Sequence, residues 1–145
     1  CPENGVDCMI AADDPELAAS IKRHEGFRAE PYTCPAGRWT IGYGYNLEAG
    51  MTLEEAEALL TLRVSSCIAH WERYRWFDRL TAPRQRSLVE MAYQLGAGGC
   101  RRFERMLRAL DQGDYERAAD EMLDSRWAEQ TPARAEHCAE LMRTG

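Results

Sequence analysis

One stretch of the chain, residues 24–47, limits the folds that the sequence can adopt. It reads HEGFRAEPYTCPAGRWTIGYGYNL, in which glycines and prolines recur with aromatic residues between them. Glycine and proline interrupt helices, whereas aromatic residues suit strands. We therefore predict a small antiparallel β lobe over residues 27–47. Because helical patterns occur on both sides of it, the predicted fold class is α+β with a mainly helical lobe.

Two helix starts can be read from local chemistry. Asp14 followed by Pro15 predicts a first helix, which Gly26 should end. Thr52 and Glu55 have the spacing of a capping box and predict a second helix. The apolar face expected of that second helix comprises Leu53, Ala56, Leu59, Leu60 and Val64.

The rest of the chain predicts further amphipathic helices. Apolar residues recur at helical spacing over residues 81–95, with Leu88, Met91, Ala92 and Leu95 facing inward. The segment GAGG at 96–99 predicts a turn. More helices are expected over 101–110, over 114–123 and from about residue 131.

Length and charge narrow the class of protein. The chain has 145 residues, which suffices for one domain with one core. We expect an N-terminal arm over residues 1–14 and a single domain over 15–145. The start at Cys1 suggests a processed product or part of a longer protein.

The net charge of −6 argues against nucleic acid as a partner. No apolar run approaches the ~20 residues of a membrane span.

Six cysteines, at positions 1, 8, 34, 67, 100 and 138, are typical of an oxidising compartment such as the periplasm. They allow two interpretations. Either all six form structural disulfides, or Cys34 has a chemical role, in which case one other cysteine stays free or Cys34 is sometimes held in a disulfide.

Three polar residues in the 24–47 stretch are candidates for a catalytic site. Glu25 is followed after eight residues by Cys34, and after five more by Thr40. A carboxylic acid at a helix end can protonate a leaving group, while the other two side chains hold a water, as glycoside hydrolysis requires. The alternatives are a solvated helix-end carboxylate, a structural cysteine and an ordinary strand threonine.

The same segments resemble the phage-type lysozymes (endolysins, glycoside hydrolase family 24), whose motif is Glu, eight residues, Asp or Cys, five residues, Thr. The resemblance continues through MTLEEAEALL at 51–60, MAYQLGAGG at 91–99 and SRWAEQTPARA at 125–135. It implies a lysozyme-like fold with a cleft between its two lobes. It also implies a muramidase that hydrolyses the β-1,4 bond between N-acetylmuramic acid and N-acetylglucosamine in peptidoglycan.

The resemblance also suggests roles for individual residues. It implies that Glu25 is the catalytic acid, that Cys34 stands where the more familiar members have Asp, and that Thr40 completes the catalytic set. It implies that Arg134 pairs with Glu25. Many members have a histidine at the position of Tyr45, and the ion pair made by that histidine should be absent here.

Further residues are expected on the substrate side. Tyr45, Tyr93, Arg126 and Arg134 are the predicted substrate-binding residues, although Tyr93 could instead be a core or surface residue. Trp127 is expected to pack beneath the site next to Gln94.

The resemblance implies no cofactor and no metal, and Cys67, His70, His137 and Cys138 are too scattered for a zinc motif. The expected partner is the peptidoglycan glycan strand, with an immunity or inhibitor protein as a second partner, and the chain is expected to be a monomer. It would act in the periplasm or at the cell wall, as an endolysin released on lysis or as the lysozyme domain of a secreted antibacterial effector. The alternatives are a lytic transglycosylase and a non-catalytic peptidoglycan-binding module.

Overall fold

The computed structural model describes residues 11–145. The chain divides into two compact units, Cys1–Leu53 and Glu54–Gly145. Within the described range the secondary structure is mostly helical, with one small antiparallel sheet. The predicted α+β fold class is therefore confirmed. None of the helices in this range is long and apolar enough to cross a membrane.

Seven α-helices and three strands occur among residues 11–145. The helices are α1 (Pro15–Glu25), α2 (Leu53–Trp71), α3 (Ala82–Cys100), α4 (Glu104–Gln112), α5 (Tyr115–Leu123), α6 (Arg126–Gln130) and α7 (Pro132–Thr144). The strands are β1 (Arg28–Thr33), β2 (Trp39–Gly42) and β3 (Tyr45–Asn46).

The ends of α1 follow from the residues that flank it. The Asp14 carboxylate accepts hydrogen bonds from the backbone N–H groups of Glu16 and Leu17, both at 2.9 Å. Gly26 ends the helix with φ of 69°, a conformation that glycine adopts without steric cost. Both predicted ends of this helix are confirmed, and Glu25 is its last residue.

The sheet of the first unit has the order β1-β2-β3, and both strand pairs are antiparallel. Thr33 pairs with Trp39 and Tyr32 pairs with Thr40. On the other side, Thr40 pairs with Asn46. The predicted β lobe is thus confirmed, and Thr40 lies on its central strand.

The core of the second unit is built where α5 and α3 pack on α7. Ala118 and Ala119 of α5 and Ala135 and Ala139 of α7 are fully buried. Such small side chains let helices approach closely, and larger residues then fill the space around them. The largest fully buried side chains are Trp71, Leu88, Met91, Met106, Leu110, Met122 and Met142.

The structure refines the predicted boundaries in this unit. Leu88, Met91 and Ala92 are buried on α3 as expected, and Leu95 packs partly buried against the core. The predicted turn at 96–99 is wrong in extent, because only Gly96 leaves helical geometry, with φ of 68°. Helix α6 was not predicted. Its signal is Ser125, whose hydroxyl accepts the N–H of Ala128 at 3.1 Å, which is the chemistry of an N-cap.

The apolar face predicted for α2 is largely exposed. Leu53 is 76% exposed, and Leu59 and Leu60 are each 47% exposed. On this helix only His70 and Trp71 are buried. Periodicity shows that a helix has an apolar stripe, but it does not show whether another element covers that stripe.

Candidate active site

Glu25 is exposed at the end of α1 and lies directly against Gly44. A Cβ atom added to Gly44 would lie 2.7 Å from Oε2 of Glu25 and 3.2 Å from its Cδ. Gly44 also has φ of +79°, which L-residues rarely adopt. The absence of a side chain at Gly44 therefore allows the Glu25 carboxyl group to rest on the loop that joins β2 to β3.

Cys34 begins the tight turn that joins β1 to β2. The N–H of Gly37 donates to the Cys34 carbonyl at 2.8 Å, and the N–H of Cys34 donates to the Arg38 carbonyl at 2.9 Å. Pro35 occupies the second turn position, where its fixed φ is favourable, and Gly37 supplies a φ of 78°. Local sequence chemistry thus fixes the backbone on which the Cys34 thiol is carried.

The surroundings of Cys34 favour its thiolate. The pKa of Cys34 is lowered from an ordinary value of 9.0, first by a hydrogen bond from the backbone of Arg38 and next by one from the backbone of Ala36. Partial burial opposes this shift, and the Thr40 side chain adds to it. Hydrogen bonds to the charged form stabilise that form, so the backbone of this turn favours the Cys34 thiolate.

Thr40 is only 4% exposed on the central strand β2. Its hydroxyl donates to the Arg38 carbonyl at 3.1 Å and is also a hydrogen-bond partner for the Cys34 side chain. The hydroxyl has one proton, so it donates either to the Arg38 carbonyl or to the Cys34 sulfur, and only the second of these hydrogen bonds stabilises the thiolate. The structure brings Cys34 and Thr40 together, while their catalytic roles stay a prediction.

A carboxylate that sequence reasoning missed supports this arrangement. Glu48 accepts hydrogen bonds from the Arg38 guanidinium and from the backbone N–H of Trp39, both at 3.1 Å. It lies in the 3-10 helix Leu47–Ala49 and connects that helix to the start of β2.

Nearby, the Tyr45 hydroxyl donates to the Gly50 carbonyl at 2.6 Å. Tyr45 therefore has a local bonding role, and its contact with substrate stays a prediction.

The other predicted site residues belong to the second unit. Tyr93 is 42% exposed, and Arg126 and Arg134 are exposed on α6 and α7. Their contacts with substrate, and the pairing of Arg134 with Glu25, stay predictions. Trp127 is 3% exposed, and its Nε1 donates to Oε1 of Gln94 at 2.8 Å, so its expected packing next to Gln94 is confirmed.

The remaining cysteines and histidines form no metal centre in the described part of the chain, where no three His, Cys, Asp or Glu side chains converge. Cys34, Cys67, Cys100 and Cys138 are all thiols in this structure. Burial raises the pKa of Cys100 to about 12 and that of Cys138 to about 11. Cys1 and Cys8, like most of the predicted N-terminal arm, lie outside the described residues.

A mostly helical α+β fold with one small antiparallel sheet is the fold of a lysozyme-type protein. The model of the phage lysozyme family matches residues 22–142, most of the chain. The chain belongs to the phage lysozyme family, which comprises hydrolases that act on peptidoglycan.

Three relatives illustrate the range of this family. The chain is 34% identical to the endolysin of Acyrthosiphon pisum secondary endosymbiont phage 1, over 71% of this chain and 72% of the endolysin. It is 27% identical to the pre-baseplate central spike protein Gp5 of Enterobacteria phage T4, over 89% of this chain but only 28% of the spike protein. It is 25% identical to the probable T4-type lysozyme 2 of Dictyostelium discoideum, over 89% of this chain and 94% of that protein.

Proposed function

We propose that this chain is a muramidase that hydrolyses the β-1,4 bond between N-acetylmuramic acid and N-acetylglucosamine in peptidoglycan. The observation that carries the proposal is the arrangement in the first unit. An exposed carboxyl group, Glu25, rests on the β2–β3 loop, while the same sheet carries the Cys34 thiol with its lowered pKa and its partner Thr40. Membership of the phage lysozyme family supports the same substrate.

In the proposed reaction Glu25 is the general acid. It donates its proton to the glycosidic oxygen as the bond from that oxygen to the anomeric carbon breaks, and positive charge develops on the sugar ring. A water molecule adds to the anomeric carbon and loses one proton, which restores Glu25 directly or, where the Cys34 thiolate takes it first, is released to solvent, from which Glu25 is protonated again. The products are two glycan fragments, and the reaction consumes one water molecule.

Cys34 and Thr40 would hold or activate that water, or stabilise the charged sugar. A neutral thiol is a poor base, so this role needs the thiolate. The backbone hydrogen bonds that lower the pKa of Cys34 supply part of what an aspartate would provide. Thr40, which already donates to the Arg38 carbonyl, can use its oxygen to accept a hydrogen bond from the water.

Four further residues are proposed to bind the substrate. The partly exposed ring of Tyr93 suits the apolar face of a sugar. The exposed guanidinium groups of Arg126 and Arg134 suit carboxylate or acyl oxygens of the glycan and its peptides. Tyr45 is the fourth proposed substrate-binding residue.

A lytic transglycosylase is the alternative that cuts the same bond. It needs one acid and closes a 1,6-anhydro ring instead of using water. The juxtaposition of Cys34 and Thr40 favours hydrolysis, because it offers a place to hold water that a transglycosylase does not require.

The biological setting is also part of the proposal. The relatives include an endolysin and a spike protein of a phage, which suits an enzyme delivered to the periplasm or the cell wall. The chain would work as an endolysin released on lysis, or as the lysozyme domain of a secreted antibacterial effector that an immunity protein could inhibit.

Mass spectrometry of purified peptidoglycan after digestion tests whether the protein is active and identifies the bond that it cuts. A muramidase produces fragments with reducing N-acetylmuramic acid ends. Glu25→Gln should lower the rate by about 10²–10⁴-fold, while Glu16→Gln, which removes an exposed carboxyl group at the other end of α1, should leave it unchanged.

Other outcomes would replace the proposal. Fragments with 1,6-anhydro ends would identify a lytic transglycosylase. No fragments from folded wild-type protein that still binds peptidoglycan would identify a binding module. Full activity in a folded Glu25→Gln variant would remove Glu25 from the mechanism.

A further inference from the structure

Trp39 is exposed, whereas the other three tryptophans of the chain form part of the core. Trp71, Trp76 and Trp127 are at most 4% exposed, but Trp39 is 54% exposed. Burial of a tryptophan contributes strongly to the free energy of folding, because the ring covers a large apolar area. Trp39 gives up much of that contribution, so its ring is available for a role other than stabilising the fold.

The backbone that carries Trp39 is held on both sides. Trp39 pairs with Thr33 of β1, and its N–H donates to Oε1 of Glu48 at 3.1 Å. The next residue, Thr40, is buried and pairs with Asn46 of β3. Because this backbone is already ordered, the Trp39 ring loses little conformational freedom when it contacts a ligand.

The faces of the Trp39 ring are not stacked on other groups of the described residues. Within residues 11–145, the aromatic pairs and the cation–π contacts all involve other rings. The exposed Phe27 and Tyr43 of the same unit, by contrast, pack on each other with ring centroids 5.4 Å apart. Trp39 therefore offers an aromatic face that no other ring or cation of this range covers.

Two charged side chains are next to Trp39 in the hairpin. Glu48 accepts the Trp39 N–H with one carboxylate oxygen and accepts from Nη1 of Arg38 with the other, at 3.1 Å. The side chains of Arg38 and Glu48 are 59% and 40% exposed. A guanidinium has five N–H donors, and this ion pair uses one of them. Arg38 therefore keeps donors for the oxygen atoms of a ligand, while the ion pair restricts its position.

An exposed aromatic face with polar groups next to it suits a sugar ring. One side of a pyranose presents C–H groups that pack on an aromatic ring, while its edges carry hydroxyl and acetamide groups that form hydrogen bonds. The acyl oxygens of N-acetylmuramic acid also suit a guanidinium donor. The chain belongs to a family of hydrolases that act on peptidoglycan, and this polymer has the required chemistry.

We propose that Trp39, with Arg38 and Glu48, forms a second contact with the glycan strand of peptidoglycan, outside the residues proposed for catalysis. Successive side chains of a strand point to opposite faces of the sheet, so Trp39 faces away from Thr40. The Trp39 ring packs on the C–H side of one N-acetylated sugar, and the two charged side chains bind its polar groups. The choice of ligand rests on the proposed function, but binding at Trp39 needs no cleavage by Glu25.

Binding to purified, insoluble peptidoglycan tests this contact when every variant also carries Glu25→Gln, so that the ligand stays intact. Trp39→Ala should weaken binding by at least about fivefold, because the aromatic face is lost. Trp39→Phe keeps a ring and should retain most of the affinity. The matched control is Phe27→Ala, which removes another exposed aromatic ring of the same unit and should bind as the parent does. Circular dichroism checks that each variant is folded.

Tryptophan fluorescence provides an independent measurement. Trp39 is the exposed tryptophan, so acrylamide should quench its emission, and a soluble N-acetylglucosamine tetramer should protect it in a saturable way. Glucose at the same concentration should not. Binding of Trp39→Ala equal to that of the parent, an equal loss in Phe27→Ala, or no protection by the tetramer would overturn the proposal.

These results are separable from those that test the muramidase. If the wild type cuts peptidoglycan but binding does not depend on Trp39, the second contact is wrong and the muramidase stands. If binding depends on Trp39 but the wild type does not cut, the second contact stands and the proposed catalysis is wrong.

Discussion

The carboxyl group of Glu25 lies so close to Gly44 that a Cβ atom at Gly44 would be 2.7 Å from Oε2 of Glu25. These two residues are far apart in the chain, at the end of α1 and in the β2–β3 loop. The contact couples the position of the proposed acid to the hairpin that carries Thr40. Any side chain at Gly44 must push either the loop or the carboxyl group away.

We expect Gly44→Ala to reduce lysis strongly, because it displaces Glu25. A shift of about 1 Å in a catalytic group can cost about 10²-fold in rate. Gly42→Ala is a matched control. Gly42 belongs to the same hairpin and has φ of +65°, but a Cβ atom there meets nothing within 4 Å. Lysis of purified cell walls and thermal unfolding should be measured for both variants.

Both alanine variants should lose similar stability, roughly 1 kcal/mol, because both strain a positive φ. Only Gly44→Ala should lose most of its activity. Equal activities in the two variants would show that the Glu25–Gly44 contact has no catalytic importance.

The lowered pKa of Cys34 predicts its reactivity. The rate of alkylation by iodoacetamide should rise with pH around a midpoint below the ordinary thiol value of 9.0, since the thiolate is the nucleophile. Cys100 and Cys138, buried and with pKa values raised to about 12 and about 11, should stay unlabelled in the folded protein. Peptide mapping at several pH values checks both expectations, and a midpoint above 9 would contradict the hydrogen bonding described for Cys34.

The lowered pKa of Cys34 also predicts how the free energy of unfolding depends on pH. Because the folded-state pKa is lowered, the Cys34 thiolate contributes to the free energy of unfolding above pH about 9, where the thiol of the unfolded chain is also ionised. That contribution is lost as the pH falls through the lower folded-state pKa. Cys34→Ala should lack this dependence when unfolding is measured across that range.

Two substitutions at Cys34 test whether lysis depends on a negative charge at this position or only on the size of the side chain. Cys34→Asp should retain lysis, because an aspartate with an ordinary pKa of about 3.9 is ionised at neutral pH. Cys34→Ser should be weak, because a neutral hydroxyl is a poor base. Rates on purified peptidoglycan, compared at equal amounts of folded protein, check this order. A fully active serine variant would show that no negative charge is needed at this position.

Thr40→Val should lose activity far more than stability. The change keeps the shape but removes the hydrogen bond to the Arg38 carbonyl, which typically contributes about 0.5–1.5 kcal/mol, and also the partner of Cys34. Thr33→Val on the exposed face of β1 is the control and should remain active. If the two valine variants lyse walls equally well, Thr40 is only a strand residue.

Local sequence determined much of the fold. Asp14, Pro15 and Gly26 were sufficient to predict both ends of α1, because caps and positive φ values depend on neighbouring residues alone. Pro35 and Gly37 likewise specify the turn that carries Cys34. The spacing of Glu25, Cys34 and Thr40 predicted the family only together with the matching segments further along the chain.

Only the tertiary structure decided which distant residues meet. No local rule indicates that Glu25 rests on Gly44, or that Glu48 accepts from both Arg38 and Trp39. Nor does one indicate that the buried ring nitrogens of His70 find no hydrogen-bond partner among residues 11–145. The exposed Leu53 and Leu60 of α2 show the same limit. An apolar stripe is a property of one segment. Whether that stripe is buried, and which hydrogen-bond partners a buried polar group finds, depends on how other segments pack against it in three dimensions.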